Sequence, residues 1–273
     1  LLLARGGYAW ATRARPVPPT PIFQGVTYEC FEVPAGREGG GLGHVVTVDL
    51  DAEGVELFIT PVDPEAAAEG WEYRLAYPAR AAARHDLAVA INCDQFLSRH
   101  GWRTSPQIYL PGDLARSVHT LIVGGEVNHI FKHSYLLWFD ERMNAAVQRK
   151  PPPEDVVERA TWAVGSGLVA IKKGRMNPWL DRNTGERTSR TLFGVEREAR
   201  RAYLAAFADC TLRLATELLV QRGVTDALTL DGGRSTWLRL GDEASNARPG
   251  TKIGGLRPVA TILGFRARPL PDK

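Results

Sequence analysis

An α+β fold, one domain with a mixed, largely antiparallel β-sheet core and a few packed helices, is predicted by three observations. Short runs of alternating apolar and polar residues recur from residue 25 to residue 265, punctuated by Gly, Pro and Asp turn signals. Helical spacing is confined to a few stretches between those runs. No internal repeat or second hydrophobic core divides the 273 residues, so a single domain is expected over about 25–268, between a lead-in at 1–24 and a tail at 269–273.

Taken in order, the lead-in carries Pro16, Pro18, Pro19 and Pro21, which exclude a helix or a central strand. Gly25 to Val33, His44 to Leu50 and Val55 to Thr60 then read as an antiparallel meander. A helix rich in Ala and Arg is expected from Tyr77 to Asp86, with Pro78 in its first turn. It leads into the apolar strand Leu87 to Ile91, which ends on Asn92-Cys93-Asp94-Gln95-Phe96. Leu121 to Ile130 and Tyr135 to Asp140 look like a further hairpin, and Pro153 with the acids after it suits a short helix. The strands Trp162 to Ile171 and Leu192 to Glu196 bracket a polar segment with Asn177, Arg182, Asn183, Arg187 and Arg190, expected to rim a cleft. Tyr203 to Phe207 is one more strand. Thr211 to Gly223 is an amphipathic helix, with Leu212, Leu214, Ala215, Leu218 and Leu219 as its stripe and Gly223 as its stop. Beyond Trp237 come a polar loop, Gly241 to Gly255, and a last strand, Arg257 to Phe265.

Composition narrows the function. Hydrophobic content of 44% and charge of 24% are ordinary for a globular protein, and a net charge of +3 without a basic stripe argues against nucleic acid as a partner. The three cysteines, Cys30, Cys93 and Cys210, allow at most one internal disulfide, and their spacing fits no metal motif. The chain opens on Leu1-Leu2-Leu3 rather than Met, as expected for the end of a signal peptide or membrane anchor, so a secreted, periplasmic or envelope-associated protein is anticipated; the alternative is a disordered flank.

Chemistry concentrates at Asp226 to Trp237. The apolar run Ala227 to Leu230 delivers Asp231 to a turn that Gly232-Gly233 makes possible, and Arg234, Ser235 and Thr236 add a cation, two hydroxyls and free backbone N–H groups. That set suits an anionic or polyhydroxy ligand, although an Asp-Gly hairpin gives the same pattern. His119, His129 and His133 give no tetrahedral ligand set with a carboxylate, so these histidines are read as solvated or stacking; no cofactor is expected, with a divalent cation holding the loops as the alternative.

Ala90-Ile-Asn-Cys-Asp-Gln-Phe96, Gly165-Ser-Gly-Leu-Val169, Arg190-Thr-Leu-Phe-Gly194 and Leu228-Thr-Leu-Asp-Gly-Gly-Arg-Ser-Thr236 occur in an order and arrangement that resembles the phosphodiester glycosidase family, over roughly three quarters of the chain. Cys93-Asp94-Gln95 stands where that family has two glycines and an aromatic, and Arg234 replaces a third glycine. The resemblance implies a hydrolase acting on a sugar 1-phosphodiester in a glycan or cell-envelope substrate. It implies a site with Asp231, Arg190 and Asp94 as catalytic groups, Arg190 gripping phosphate, and Asn92, Gly232, Gly233, Arg234 and Ser235 binding substrate. The alternative on the same fold is a non-catalytic polysaccharide-binding module using Trp102, Trp179 and Trp237 as stacking surfaces.

Overall fold

The computed structural model describes residues 16–101, 108–180, 185–241, 252–254 and 257–271. Every strand pairing among them is antiparallel. The largest sheet is eight-stranded, in the order Val17–Phe23, Val26–Glu32, Leu42–Asp49, Arg201–Cys210, Thr188–Glu196, Asp226–Thr229, Val169–Lys172 and Arg175–Met176. The proline-bearing lead-in is therefore its edge strand, where a missing N–H costs no ladder bond. The boundary expected at residue 25 falls inside the first hairpin.

A five-stranded sheet, Lys252–Gly254, Trp237–Leu240, Val89–Asn92, Ile262–Arg266 and Glu56–Ile59, packs on one face of the large sheet. Two neighbour relations depart from the sequence expectation. The third strand of the anticipated meander leaves its neighbours after two successive turns, Ala52 N to Asp49 O and Val55 N to Ala52 O, and pairs with Ile262–Arg266 instead. The expected hairpin of Leu121–Val123 with Tyr135–Phe139 is split by Trp162–Ser166, which pairs with both in a further five-stranded sheet. A small sheet of Tyr73–Arg74, Leu114–Ser117 and Phe96–Ser98 completes the described pairings.

The helices fall where the periodicity puts them, at Pro78–Arg84, Glu154–Arg159 and Leu212–Val220, with one short addition, Pro64–Ala68, capped by Asp63. Thr211 caps the longest through its Oγ1, which accepts from Leu214 N at 3.2 Å. Leu212, Ala215, Leu218 and Leu219 of that helix are buried against Val45, Leu192 and Phe207, each large side chain contributing roughly 1.5–3 kcal/mol. No helix among the described residues is long and apolar enough to cross a membrane.

The large sheet thus separates two cores, and alternation along Thr188–Glu196 assigns its side chains to one or the other. Phe193 and Val195 enter the core shared with the five-stranded sheet, while Leu192 enters the core under the helix. Thr191 lies on the first face and Arg190 on the second.

Candidate functional site

The site forms where the strands Val89–Asn92 and Asp226–Thr229 run out beside each other. Leu230 N donates to Thr191 O at 2.9 Å, and Asp231 N to Cys93 O at 3.0 Å, so the two loops are joined by backbone. Asn92 then fixes them from within. Its Nδ2 donates to Asp231 O at 2.6 Å, and its Oδ1 accepts from Trp237 N at 2.9 Å and Thr191 Oγ1 at 3.0 Å. Asn92 is 1% exposed, so its amide is a clamp inside the protein rather than a surface offered to a sugar. The turn it holds needs both glycines: Gly233 has φ +60°, and a Cβ on Gly232 would stand 3.0 Å from Ser189 O.

This turn leaves Asp231 half-buried at the rim, its carboxyl beside the Ser235 hydroxyl and the Gly232 N–H. Its pKa is raised from the usual carboxylate value, mainly by burial. The neighbouring Ser235 hydroxyl and Arg257 guanidinium pull it down, and the Asp94 carboxylate pushes it up. Ser235 Oγ falls short of a closed hydrogen bond with Asp231 and is buried without a partner.

Arg257 is the cation that Asp231 feels. Its guanidinium carbon lies 3.8 Å from the centroid of the Tyr109 ring and 5.0 Å from that of Phe96, and its Nε is enclosed without an acceptor. Sequence reasoning took Arg257 only as the opening of the last strand. Arg190, by contrast, lies on the helix face of the large sheet. Its Nη2 donates to Glu186 O at 2.5 Å and its Nε to Cys210 O at 3.3 Å, and burial lowers its pKa. Two backbone carbonyls thus hold Arg190 rigidly, as expected, on the opposite face of the strand from Thr191, which bonds Asn92. Its neighbour Thr191 joins the site instead. Arg234 is exposed on the turn.

Asp94 is fully engaged. Its Oδ1 lies 2.6 Å from His119 Nδ1, while its Oδ2 accepts from His119 N at 2.7 Å and from the Ser117 hydroxyl. Asp94 and His119 are 3% and 6% exposed. His119 is therefore a buried, carboxylate-paired imidazole, not a solvated one, although its ring also meets Phe131 edge-on at 5.8 Å. His129 pairs likewise with Glu72 at 2.5 Å, and that bond raises its pKa. His133 meets the Phe131 ring edge-on at 5.5 Å rather than stacking on it. No cluster of three or more His, Cys, Asp or Glu side chains arranged as metal ligands occurs among the described residues.

Of the three tryptophans considered as sugar platforms, Trp237 is buried in the core at 3% exposure and Trp179 is exposed. Trp102, Arg182 and Asn183, with nearly all of the polar loop after Gly241, lie outside the described residues. Arg187 is tied to Asp209 and Gly36 O, and Asn177 to Val169 O, so neither is free to line a cleft.

The sequence profile of the phosphodiester glycosidases matches residues 87–266, a span holding every group from Asn92 to Arg257. Among solved structures, the fold is similar to the catalytic domain of zebrafish N-acetylglucosamine-1-phosphodiester alpha-N-acetylglucosaminidase, auto-inhibited by its pro-peptide. The TM-score is 0.62 at 15% identity, with 93% of this chain and 87% of that one covered. A Synechocystis protein of unassigned function matches with a TM-score of 0.59 at 16% identity, covering 94% of this chain and 64% of its own. A Burkholderia pseudomallei protein described as exported matches with 0.60 at 12% identity, covering 84% and 74%. At these identities the structural likeness is one of fold. No curated protein matches the chain.

Proposed function

The chain belongs to the phosphodiester glycosidase family, and from that premise we propose that it hydrolyses a sugar 1-phosphodiester in a glycan or cell-envelope substrate, releasing the sugar and a phosphomonoester. The observation that carries this reading is the half-buried Asp231 carboxyl within the field of the Arg257 guanidinium, whose Nε has no acceptor. A phosphate ester is already a good leaving group, so the reaction asks chiefly for charge stabilisation and placement. Arg257, stiffened by Tyr109 and Phe96, holds the phosphate oxygens. Asp231 faces the anomeric carbon, where positive charge grows as the bond to phosphate stretches. A carboxylate short of solvation gains most from that charge. Asn92 acts through the turn, keeping Asp231 and the Gly232–Gly233 backbone in place.

The substrate class draws support from the zebrafish enzyme, whose name specifies a sugar 1-phosphodiester. The same reading puts the chain outside the cytoplasm, supported by the exported Burkholderia neighbour. The chemistry as written runs on side chains of the chain itself, without a cofactor.

The test is turnover of a chromogenic sugar 1-phosphodiester. Wild type should hydrolyse it, and Asp231→Asn should lower kcat by about 10²–10⁴. A wild type that turns over nothing, yet binds glycan as tightly as Asp231→Asn, would make the protein a polysaccharide-binding module and end the enzyme reading.

A further inference from the structure

Asp94 has no free oxygen to offer a substrate, but the imidazole it holds has a free nitrogen. Asp94 Oδ2 already accepts hydrogen bonds from His119 N and the Ser117 hydroxyl, so the carboxylate is the acceptor at its other oxygen too. His119 Nδ1 is then the protonated nitrogen, and in the neutral ring Nε2 carries a lone pair. Nε2 has no hydrogen-bond partner among the described residues. It lies beneath Gly167, which is exposed and has no side chain to cover it; a Cβ there would stand 3.2 Å from Nε2.

Hydrogen bonds tie that opening to the strand end that carries Asp231. Ser166 Oγ donates to Thr229 O at 2.6 Å, and Thr229 N donates to Leu168 O at 3.2 Å, so the turn carrying Gly167 is bonded on both sides to the strand that ends at Asp231. From the other direction Cys93 O accepts Asp231 N, one residue before Asp94.

We propose that His119 is the general base of the hydrolysis, with Asp94 as its positioning residue and Gly167 as the gap through which Nε2 reaches the attacking water. The inference rests on the proposed hydrolysis at Asp231. In the step, water oxygen bonds to the anomeric carbon while the bond from that carbon to the phosphate oxygen breaks, its electron pair leaving with the phosphate. The water proton passes to Nε2, the resulting imidazolium is stabilised by Asp94, and the proton is returned to solvent before the next turnover.

Two variants and one spectrum test this. His119→Asn keeps a donor near the Nδ1 position for Asp94 but deletes Nε2; kcat should fall about 10²–10⁴-fold, while the affinity for inorganic phosphate, held by Arg257, stays within about twofold of wild type. Gly167→Ala leaves the pair intact and only lines the opening with a methyl group; kcat should fall about tenfold or more. Nitrogen NMR of the neutral His119 ring should show the proton on Nδ1, and Asp94→Asn should move it to Nε2, which a merely structural histidine coupled to nothing catalytic would report without any loss of kcat. Wild-type turnover that survives His119→Asn, or a wild-type ring protonated at Nε2, overturns the proposal and leaves the hydrolase reading standing. Absence of wild-type turnover removes that reading, and this proposal with it.

Discussion

Burial raises the pKa of Asp231, so keeping this carboxylate ionised in the folded protein works against stability. The unfolded chain ionises it more easily. At neutral pH the ionised group therefore destabilises the fold, and below the unfolded-state value, where both states are protonated, the effect vanishes. Asp231→Asn is expected to raise Tm at pH 7 while removing activity, with the gain shrinking toward pH 3; an unchanged or lower Tm at pH 7 would contradict the sign. Arg257 is one of the groups that hold the Asp231 pKa down. Carboxyl-carbon NMR should accordingly place the Asp231 titration above the ordinary carboxylate value in wild type and higher still in Arg257→Gln. Arg190→Gln, altering a guanidinium occupied by Glu186 O and Cys210 O, should leave that titration in place and weaken phosphate binding far less than Arg257→Gln does. Equal losses of phosphate affinity in the two arginine variants would return the anion grip to Arg190.

At the scale of elements, the joint between two strand ends depends on one amide. Asn92→Ala strands the Trp237 N–H and the Asp231 carbonyl and leaves the Thr191 hydroxyl only Thr236 Oγ1, and should cost on the order of 2–4 kcal/mol in denaturant titration. A loss below about 0.5 kcal/mol would mean the loops hold without it. This joint also explains what the sequence could tell. Asn92 and Asp231 were legible because each ends an apolar run, and a strand that stops on a polar residue at a glycine turn has few places to put it. Arg190 misled because adjacency to a strand says nothing about which face a side chain takes. The pleat gave the site face to Thr191 and sent the guanidinium to the carbonyls near the helix start. His119 and Arg257 stay hidden in one dimension, since each lies just outside a strand and acquires its meaning only from Asp94 and Asp231, far away in the chain. Strand partners were the other unreadable quantity. Period-two patterns identify Val55 to Thr60 and Tyr135 to Asp140 as strands, but nothing local shows that their partners are Ile262–Arg266 and the inserted Trp162–Ser166.

For the molecule as a whole, two histidines give stability opposite slopes on the two sides of pH 6.5. His44 lies in the strand Leu42–Asp49, bonded through Nδ1 to the Tyr28 hydroxyl at 2.8 Å, and burial lowers its pKa from 6.5 to about 4. Between those values the unfolded chain binds a proton that the folded one refuses. Stability must therefore fall as pH drops from about 6.5 toward 4, by on the order of 3 kcal/mol in total. His129 has the contrary sign. Its bond to Glu72 raises its pKa, so its contribution is fully present below 6.5 and is lost as pH rises through the elevated folded value. Because unfolding of one continuous core samples both groups at once, the pH dependence of the wild type is their sum with the carboxylates. Denaturant titrations from pH 4 to pH 9 separate them. His44→Gln should flatten the loss on the acid side of 6.5, whatever its cost at pH 8. His129→Gln should lower stability by a constant amount below 6.5, leave the acid-side loss unchanged, remove the gain seen as pH falls from 9 to 6.5, and change little at pH 9. If both variants run parallel to wild type across the whole range, neither imidazole changes its proton affinity on folding, and the buried environment drawn for His44 and the ion pair drawn for His129 are both absent in solution.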